Sequence, residues 1–183
     1  MPKLSLENLK KRAKNVKVAL MDIDGVLTNG VIFHFVDSRG KLVEFKGVNS
    51  QDSIALAWLA DAGIKTGFIS GRQSQGMDER LKLLKARYIY QGRLDKIAVF
   101  EEICRDAGVN AAQTLYIGDD LPDIPVLRAA GLAVAVSNAR PEVKAAAHHV
   151  TSRCGGQGAV REVGEFLLRE QGLWQNIMSR FAP

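Results

Sequence analysis

The sequence predicts an α/β protein built on a doubly wound parallel sheet, with a small β-hairpin inserted after the first strand. Three observations point there. Short apolar runs such as Val18–Met21, Gly67–Ile69 and Leu115–Ile117 recur along the chain, separated by stretches of helical periodicity. Strand and helix patterns alternate, which implies parallel strands joined by crossover helices. Acidic or hydroxyl residues stand directly after several strands, at the sheet edge where open α/β folds bind ligands. The 183 residues are 46% hydrophobic, enough for one domain with a sizeable core.

The elements follow in order. Residues Leu4 to Lys14 read as a leading helix with Leu6 and Leu9 on one side, and Val18 to Met21 as a buried strand. Val31–Val36 and Leu42–Phe45 flank Asp37-Ser38-Arg39-Gly40, the pattern of a hairpin spanning about 31–46. Its apolar content exceeds what a lone hairpin tolerates in water, so a neighbouring subunit is expected to cover it. Ser50 or Asp52 is expected to cap a helix running to Asp61, with Gly63 beyond its end. Strand Lys65–Ile69, helix Gln73–Ala86, strand Tyr88–Tyr90 and helix Asp95–Ala107 come next. Strand Thr114–Ile117, a Pro122-initiated helix to Ala130, and strand Leu132–Val136 follow. A helix from Pro141 to Ala147, strand His149-Val150, and a helix from Ala159 to about Gln171 complete the pattern, with a tail from about residue 153 onward.

The net charge of +5 belongs to one segment. Within the first seventeen residues six Lys and Arg oppose Glu7 alone, and beyond them nineteen basic residues meet nineteen acidic ones. Such an arm can bind nucleic acid, but with no interleaved aromatics it reads as a solvated amphipathic helix. No apolar run has the length of a membrane span, and Met1 to Lys17 lacks the apolar stretch of a signal peptide. Cys104 and Cys154 have no metal-ligand spacing, so a buried reduced thiol at Cys104 and a cytoplasmic location are expected. His34, His148 and His149 likewise show no ligand spacing.

Chemistry concentrates in two acidic clusters. Asp22 and Asp24, in Asp22-Ile23-Asp24-Gly25-Val26, are two residues apart in extended chain and point the same way, and Gly25 permits a sharp turn. Like charges at that range need a cation or proton between them. Gly118-Asp119-Asp120-Leu121-Pro122-Asp123 follows another strand, Ser70 a third, and Lys96 opens a helix after Asp95. Parallel central strands would bring all of them to one edge, a candidate site for metal-assisted chemistry.

This ordered set resembles the haloacid dehalogenase superfamily of aspartate-nucleophile phosphotransferases, over nearly the whole chain. The segments Asp22–Gly30, Ile69-Ser70-Gly71-Arg72, Tyr90-Gln91-Gly92, Asp95-Lys96 and Gly155–Glu162 are similar to the 3-deoxy-D-manno-octulosonate 8-phosphate phosphatase branch, which has no separate cap domain. The resemblance implies a Rossmann-like haloacid dehalogenase fold and hydrolysis of a sugar-acid phosphomonoester, an octulosonate 8-phosphate or a related nonulosonate 9-phosphate, for cell-envelope glycan synthesis. It implies Asp22 as nucleophile, Asp24 as acid and base, Ser70 and Lys96 as phosphate-binding catalytic groups, and Mg²⁺ held by Asp22, the Asp24 carbonyl and Asp119. Asp120 and Asp123 would orient ligands and waters. Asn49, Gln51, Asp52, Gly71, Arg72 and Arg80 map onto substrate-contacting positions, the glycine-rich tail reaches toward an active site, and the family forms tetramers. Related ATPase pumps carry Thr at the position of Asp24.

The pattern departs from the branch after the hairpin. The usual Asn-Val-Arg-Asp-Gly appears as Asn49-Ser50-Gln51-Asp52-Ser53, closer to phosphatases of nine-carbon sugar acids, whereas Arg72 resembles the octulosonate enzymes. A further common arginine corresponds to Ala57, and Asn29 stands where Asp is usual. Two other functions fit parts of the pattern. A phosphatase on nucleic-acid ends would use the basic N-terminus. A phospho-receiver module also combines Asp clusters, a hydroxyl and a Lys, but lacks the second Asp two residues after the first.

Overall fold

The computed structural model describes residues 4–181; Lys3 of the basic segment lies outside them. Six parallel strands form the central sheet: β1 (Val18–Met21), β4 (Lys65–Ile69), β5 (Tyr88–Tyr90), β6 (Thr114–Gly118), β7 (Leu132–Ala135) and β8 (His149–Val150). Their spatial order is β5-β4-β1-β6-β7-β8. The chain therefore winds outward from β1 to β5, returns to β6 on β1's other side, and winds outward again. Register is tight across the middle: Met21 lies opposite Phe68 on one side and Ile117 on the other. All four β1 residues are buried, which explains their continuous apolar run.

Helices α1 (Leu6–Lys14), α2 (Ser50–Asp61), α3 (Gln75–Leu83), α4 (Lys96–Ala107), α5 (Ile124–Ala129), α6 (Pro141–Ala145), α7 (Ala159–Glu170) and α8 (Trp174–Met178) connect and flank the strands. Helix α7 packs against both α1 and α2, and α4 packs against α5. Leu9 and Ala13 of α1 are buried while Leu6 is exposed, and Lys10 reaches Glu170 of α7 at 3.6 Å. None of these helices is long and apolar enough to cross a membrane.

The hairpin stands apart as a two-stranded sheet of β2 (Phe33–Val36) and β3 (Leu42–Phe45). Asp37 sets its turn, its Oδ1 accepting from the amides of Arg39 and Lys41, both at 2.9 Å. Register pairs Phe33 with Phe45 and Phe35 with Val43, so these four share one face; His34 pairs with Glu44 on the other. Phe33 and Phe45 stack at 5.1 Å, yet Phe33, Phe35 and Phe45 each stay about half exposed.

Several boundaries differ from the sequence reading, for identifiable reasons. Asn49, not Ser50 or Asp52, caps α2: its Oδ1 accepts from the Gln51 amide at 2.8 Å. Helix α3 starts two residues late because the Gln91 side chain holds the backbone N–H and C=O of Ser74 in an extended conformation. Pro125 has no N–H to donate, so the Pro122 segment forms a 3₁₀ turn over Leu121–Asp123 before α5 begins. Cys104 is free and half-buried rather than fully buried, and Cys154 is likewise free and half-buried. Helix α8 was not expected from sequence. It is five residues long with no side-chain cap, and it is held by Trp174 packing edge-on to Trp58 at 5.7 Å and beneath Arg169.

Candidate active site

The ends of β1, β4 and β6 converge where the chain changes winding direction, and the sequence continues from each into a polar residue. Asp22 follows β1, Ser70 follows β4 and Asp119 follows β6. They line one cleft of about 180 Å³ together with Asp24, Gly71, Arg72, Leu94, Lys96, Asp120, Pro122 and Asp123. After Asp22 the backbone turns sharply, closed by the Thr28 amide donating to the Ile23 carbonyl at 3.0 Å. Gly25 makes the turn at φ +95°, and a Cβ there would lie 2.1 Å from Asp119 Oδ2. Only glycine satisfies both demands, and so lets Asp119 approach the turn.

Asp22, Asp119 and Asp123 present carboxylate oxygens within 4.8 Å of one another. Their partners separate their roles. Asp123, fully buried, accepts from Lys96 Nζ and Tyr116 Oη through Oδ1, both at 2.7 Å. Its Oδ2 accepts from the amides of Asp119 and Asp120, at 2.9 and 3.2 Å. With four donors its lone pairs are occupied, so it braces the site rather than offering a free ligand atom. Asp119 Oδ1, by contrast, is buried without a hydrogen-bond partner. Lys96 Nζ lies 3.0 Å from Asp22 Oδ1 as well as bonding Asp123.

The electrostatics of this cluster are unbalanced. Burial first, and the neighbouring Asp123 carboxylate second, push Asp22 up to about 7 despite the opposing pull of Lys96. Burial, then Asp22, Asp123 and Asp120, push Asp119 up to about 8. Burial works to lower Lys96, but the two carboxylates outweigh it and hold the ammonium above its ordinary value. Tyr116 is held well above its usual value by burial and by Asp123, so it remains a hydroxyl donor. With all three carboxylates ionised, their charge against the one ammonium is 2−, which a divalent cation would cancel. The all-oxygen donor set and the unpartnered Asp119 oxygen fit Mg²⁺, which prefers carboxylates and retains waters.

The Asp24 carboxylate forms a second, separate group. Lys46 Nζ contacts both its oxygens, at 2.8 and 2.9 Å, and lies 3.3 Å from Glu44. Arg72 donates to Glu44 at 3.0 Å, with its Nε 3.9 Å from Asp24. Burial would raise Glu44, but its bonds to Arg72 and Lys46 prevail and hold it below the usual carboxylate range. The sequence reading missed Lys46 and Glu44. The available signal was the period of two continuing from Glu44 to Lys46, which places both on the hairpin face opposite the phenylalanines.

The remaining sequence-derived candidates lie elsewhere. Asp52, expected to meet substrate, is fully buried in α2 and turned to the tail: it accepts from the amides of Gly158 at 3.1 Å and Arg161 at 2.7 Å. It thereby caps α7, whose own N-cap residue is Gly158. Arg80 Nη2 donates to Ser53 Oγ at 3.1 Å and does not line the cleft. Exposed Gln51 is also outside it, while Asn49 lines a separate hollow of about 260 Å³ with Asn29, Phe33, Gly47, Val48 and Gly156. The glycine tail packs behind the turn that follows β1. Gly156 N donates to the Val26 carbonyl at 2.9 Å, and a Cβ on Gly155 would overlap the Gly25 carbonyl oxygen at 1.6 Å.

Comparison with known proteins gives consistent matches. Residues 84–161 match the family model described as haloacid dehalogenase-like hydrolase. The 3-deoxy-D-manno-octulosonate 8-phosphate phosphatase of Yersinia pestis is 36% identical over 161 residues, 88% of this chain and 84% of that protein. A crystal structure of the Moraxella catarrhalis phosphatase of the same name, in complex with magnesium ion, phosphate ion and KDO, superposes with a TM-score of 0.91 at 34% identity, covering 97% of this chain and all of that one. The cobalt-bound Haemophilus influenzae phosphatase superposes at 0.82 with 37% identity, covering 88% and 92%.

Proposed function

The chain belongs to the 3-deoxy-D-manno-octulosonate 8-phosphate phosphatase family of haloacid dehalogenase-like hydrolases, and on that premise we propose how its own residues act on a sugar-acid phosphate. It is a Mg²⁺-dependent phosphomonoester hydrolase. The observation that carries the reading is the convergence of Asp22, Asp119 and Lys96 on one cleft around the Asp123 brace.

In this reading Asp22 attacks phosphorus in line and carries the phosphoryl group as an aspartyl phosphate. Asp24, one turn of chain away and aimed into the same cleft, donates a proton to the leaving sugar alkoxide. It then takes a proton from the water that cleaves the aspartyl phosphate. Ser70 and Lys96 hold phosphoryl oxygens, and Lys96 also opposes protonation of the Asp22 carboxylate. Asp22, Asp119 and the Asp24 carbonyl would hold Mg²⁺, which supplies charge neutralisation for an anionic nucleophile meeting an anionic phosphate. Arg72, exposed at the cleft mouth, is placed to meet the sugar-acid carboxylate. The panel that tests this reading is 3-deoxy-D-manno-octulosonate 8-phosphate, nine-carbon analogues and generic sugar phosphates under Mg²⁺. Turnover of none of the sugar-acid phosphates would overturn it.

Specificity would follow from the hairpin-to-α2 junction, which lies outside the cleft of its own chain and would meet substrate from a neighbouring subunit. With Gln51 where arginine is usual, a charge-assisted contact to an octulosonate carboxylate is missing. Such contacts are worth about 1.5–3 kcal/mol, so transition-state binding falls roughly tenfold to a hundredfold. We expect a nine-carbon analogue to be accepted comparably. Gln51→Arg, at an exposed position that can take the longer side chain, should raise kcat/KM for the octulosonate and leave an aryl phosphate unchanged. A wild type that already strongly prefers the octulosonate would refute this.

The apolar hairpin face is bare, which supports cover by neighbouring subunits in a homotetramer. Phe33→Asp combined with Phe35→Asp should convert the oligomer to a monomer in light scattering. An unchanged mass, or a wild-type monomer at micromolar concentration, would exclude the hairpin interface. A cytoplasmic setting is in keeping with the two free cysteines.

A further inference from the structure

The hairpin does more at the cleft than present an apolar face outward. Lys46, the residue directly after β3, is drawn inward until its side chain is only 2% exposed, and its ammonium sits astride both oxygens of Asp24. The Glu44 carboxylate shares that ammonium at 3.3 Å and bonds Arg72 at 3.0 Å. Two carboxyl groups and two cations close a ring that ties β3 to the turn after β1 and to the loop after β4. A lysine this buried is rare without paired charges, and here it pairs with Asp24 and with Glu44, which in turn bonds Arg72 beside Asp24.

We propose that Lys46 is a positioning residue that fixes the carboxylate of Asp24 toward the leaving-group oxygen, so that the hairpin helps assemble the acid–base half of the site. The inference rests on the phosphatase reading above and adds a requirement to it. Asp24 stands immediately before Gly25, in a stretch that is not regular helix. Among the described residues its side chain has no other hydrogen-bond donor as close as Lys46, with Arg72 Nε at 3.9 Å. Without the Lys46 ammonium, the carboxylate is free to swing between Arg72 and solvent. A misplacement of about 1 Å can cost on the order of 100-fold in rate.

The test exploits the leaving group. In the phosphorylation step the Asp22–phosphorus bond forms as the phosphorus–oxygen ester bond breaks. An alkyl alkoxide must receive the proton held by Asp24 as it departs, whereas p-nitrophenolate departs without one. kcat/KM reports through the first irreversible step, so it isolates that difference. Lys46→Met should lower kcat/KM roughly 100-fold for a sugar phosphate and by less than about fivefold for p-nitrophenyl phosphate. Removing Lys46 after Asp24→Asn should add little, because the two residues act as one unit. A purely structural role, through misfolding or lost metal, would lower both substrates alike, and that result overturns the proposal. So would additive losses in the double variant, or no change on either substrate. Should Lys46→Met fail to fold, Lys46→Gln, which keeps a donor of similar length, carries the same comparison. Failure of the underlying reading looks different: Asp24→Asn would then show no leaving-group dependence of its own.

Discussion

Replacing Asp22 by Asn is expected to reduce phosphate release by about 10⁵-fold or more, the scale seen when the nucleophile of a covalent enzyme is removed. An amide is a poor nucleophile, and its oxygen carries no charge to balance a divalent cation. Steady-state phosphate release measures the loss, and acid-trapped phosphoenzyme should be absent. The variant should fold at least as well as the wild type without metal. Asp22 is held at about 7 by burial and by Asp123, so a neutral amide removes a repulsion from the cluster. Chelation by EDTA should inactivate the wild type, with Mg²⁺ restoring it. Substantial turnover by Asp22→Asn would overturn the assignment of the nucleophile.

The second large effect concerns Asp123, and its direction is the opposite for stability. Asp123→Ala should unfold the protein more easily, because four donors lose their acceptor in a fully buried place: Lys96 Nζ, Tyr116 Oη and the amides of Asp119 and Asp120. Removing one partner of a buried pair costs about 3–5 kcal/mol. Two features favour the lower end. Lys96 keeps Asp22 at 3.0 Å, and the repulsion Asp123 exerts on Asp22 and Asp119 disappears. A loss of about 3 kcal/mol corresponds to a fall in Tm of roughly 10 °C for a chain of this size. Activity should fall with it, since Lys96 and Asp119 lose the group that orients them. Asp123→Asn, which keeps one acceptor oxygen, should fall between the two. Thermal unfolding and Mg²⁺-dependent activity measured on both variants decide the matter; a Tm within 2 °C of wild type for Asp123→Ala would show that the four donors find other partners.

Much of this protein was legible in the chain because the signals are local. The run Val18–Met21 reads as a buried strand from four consecutive apolar residues, and β1, β4, β5 and β8 occur at the bounds expected. Once β1, β4 and β6 are parallel and central, the positions of Asp22, Ser70 and Asp119 at a common edge follow from their place one or two residues after an apolar run. The exposed apolar hairpin is likewise visible in composition and period alone. Helix ends were less legible. The start of α3 depends on Gln91, seventeen residues away from Ser74, and no local pattern records that bond.

What the tertiary structure alone decided are the partners of the charged groups. Sequence places Asp123 at the start of a helix, where a carboxylate is ordinary. Packing makes it a fully buried acceptor for four donors, one of them Lys96 from 27 residues away. Sequence offered Asp52 to the substrate, and packing turned it to cap a helix more than a hundred residues further on. Lys46 read as one more charge beside a hairpin until the fold carried it onto Asp24. The physical reason is common to all three. Backbone pattern is set by neighbours within a turn or a pleat, whereas the partner of a charge withdrawn from water is whichever opposite group the fold brings within hydrogen-bond distance.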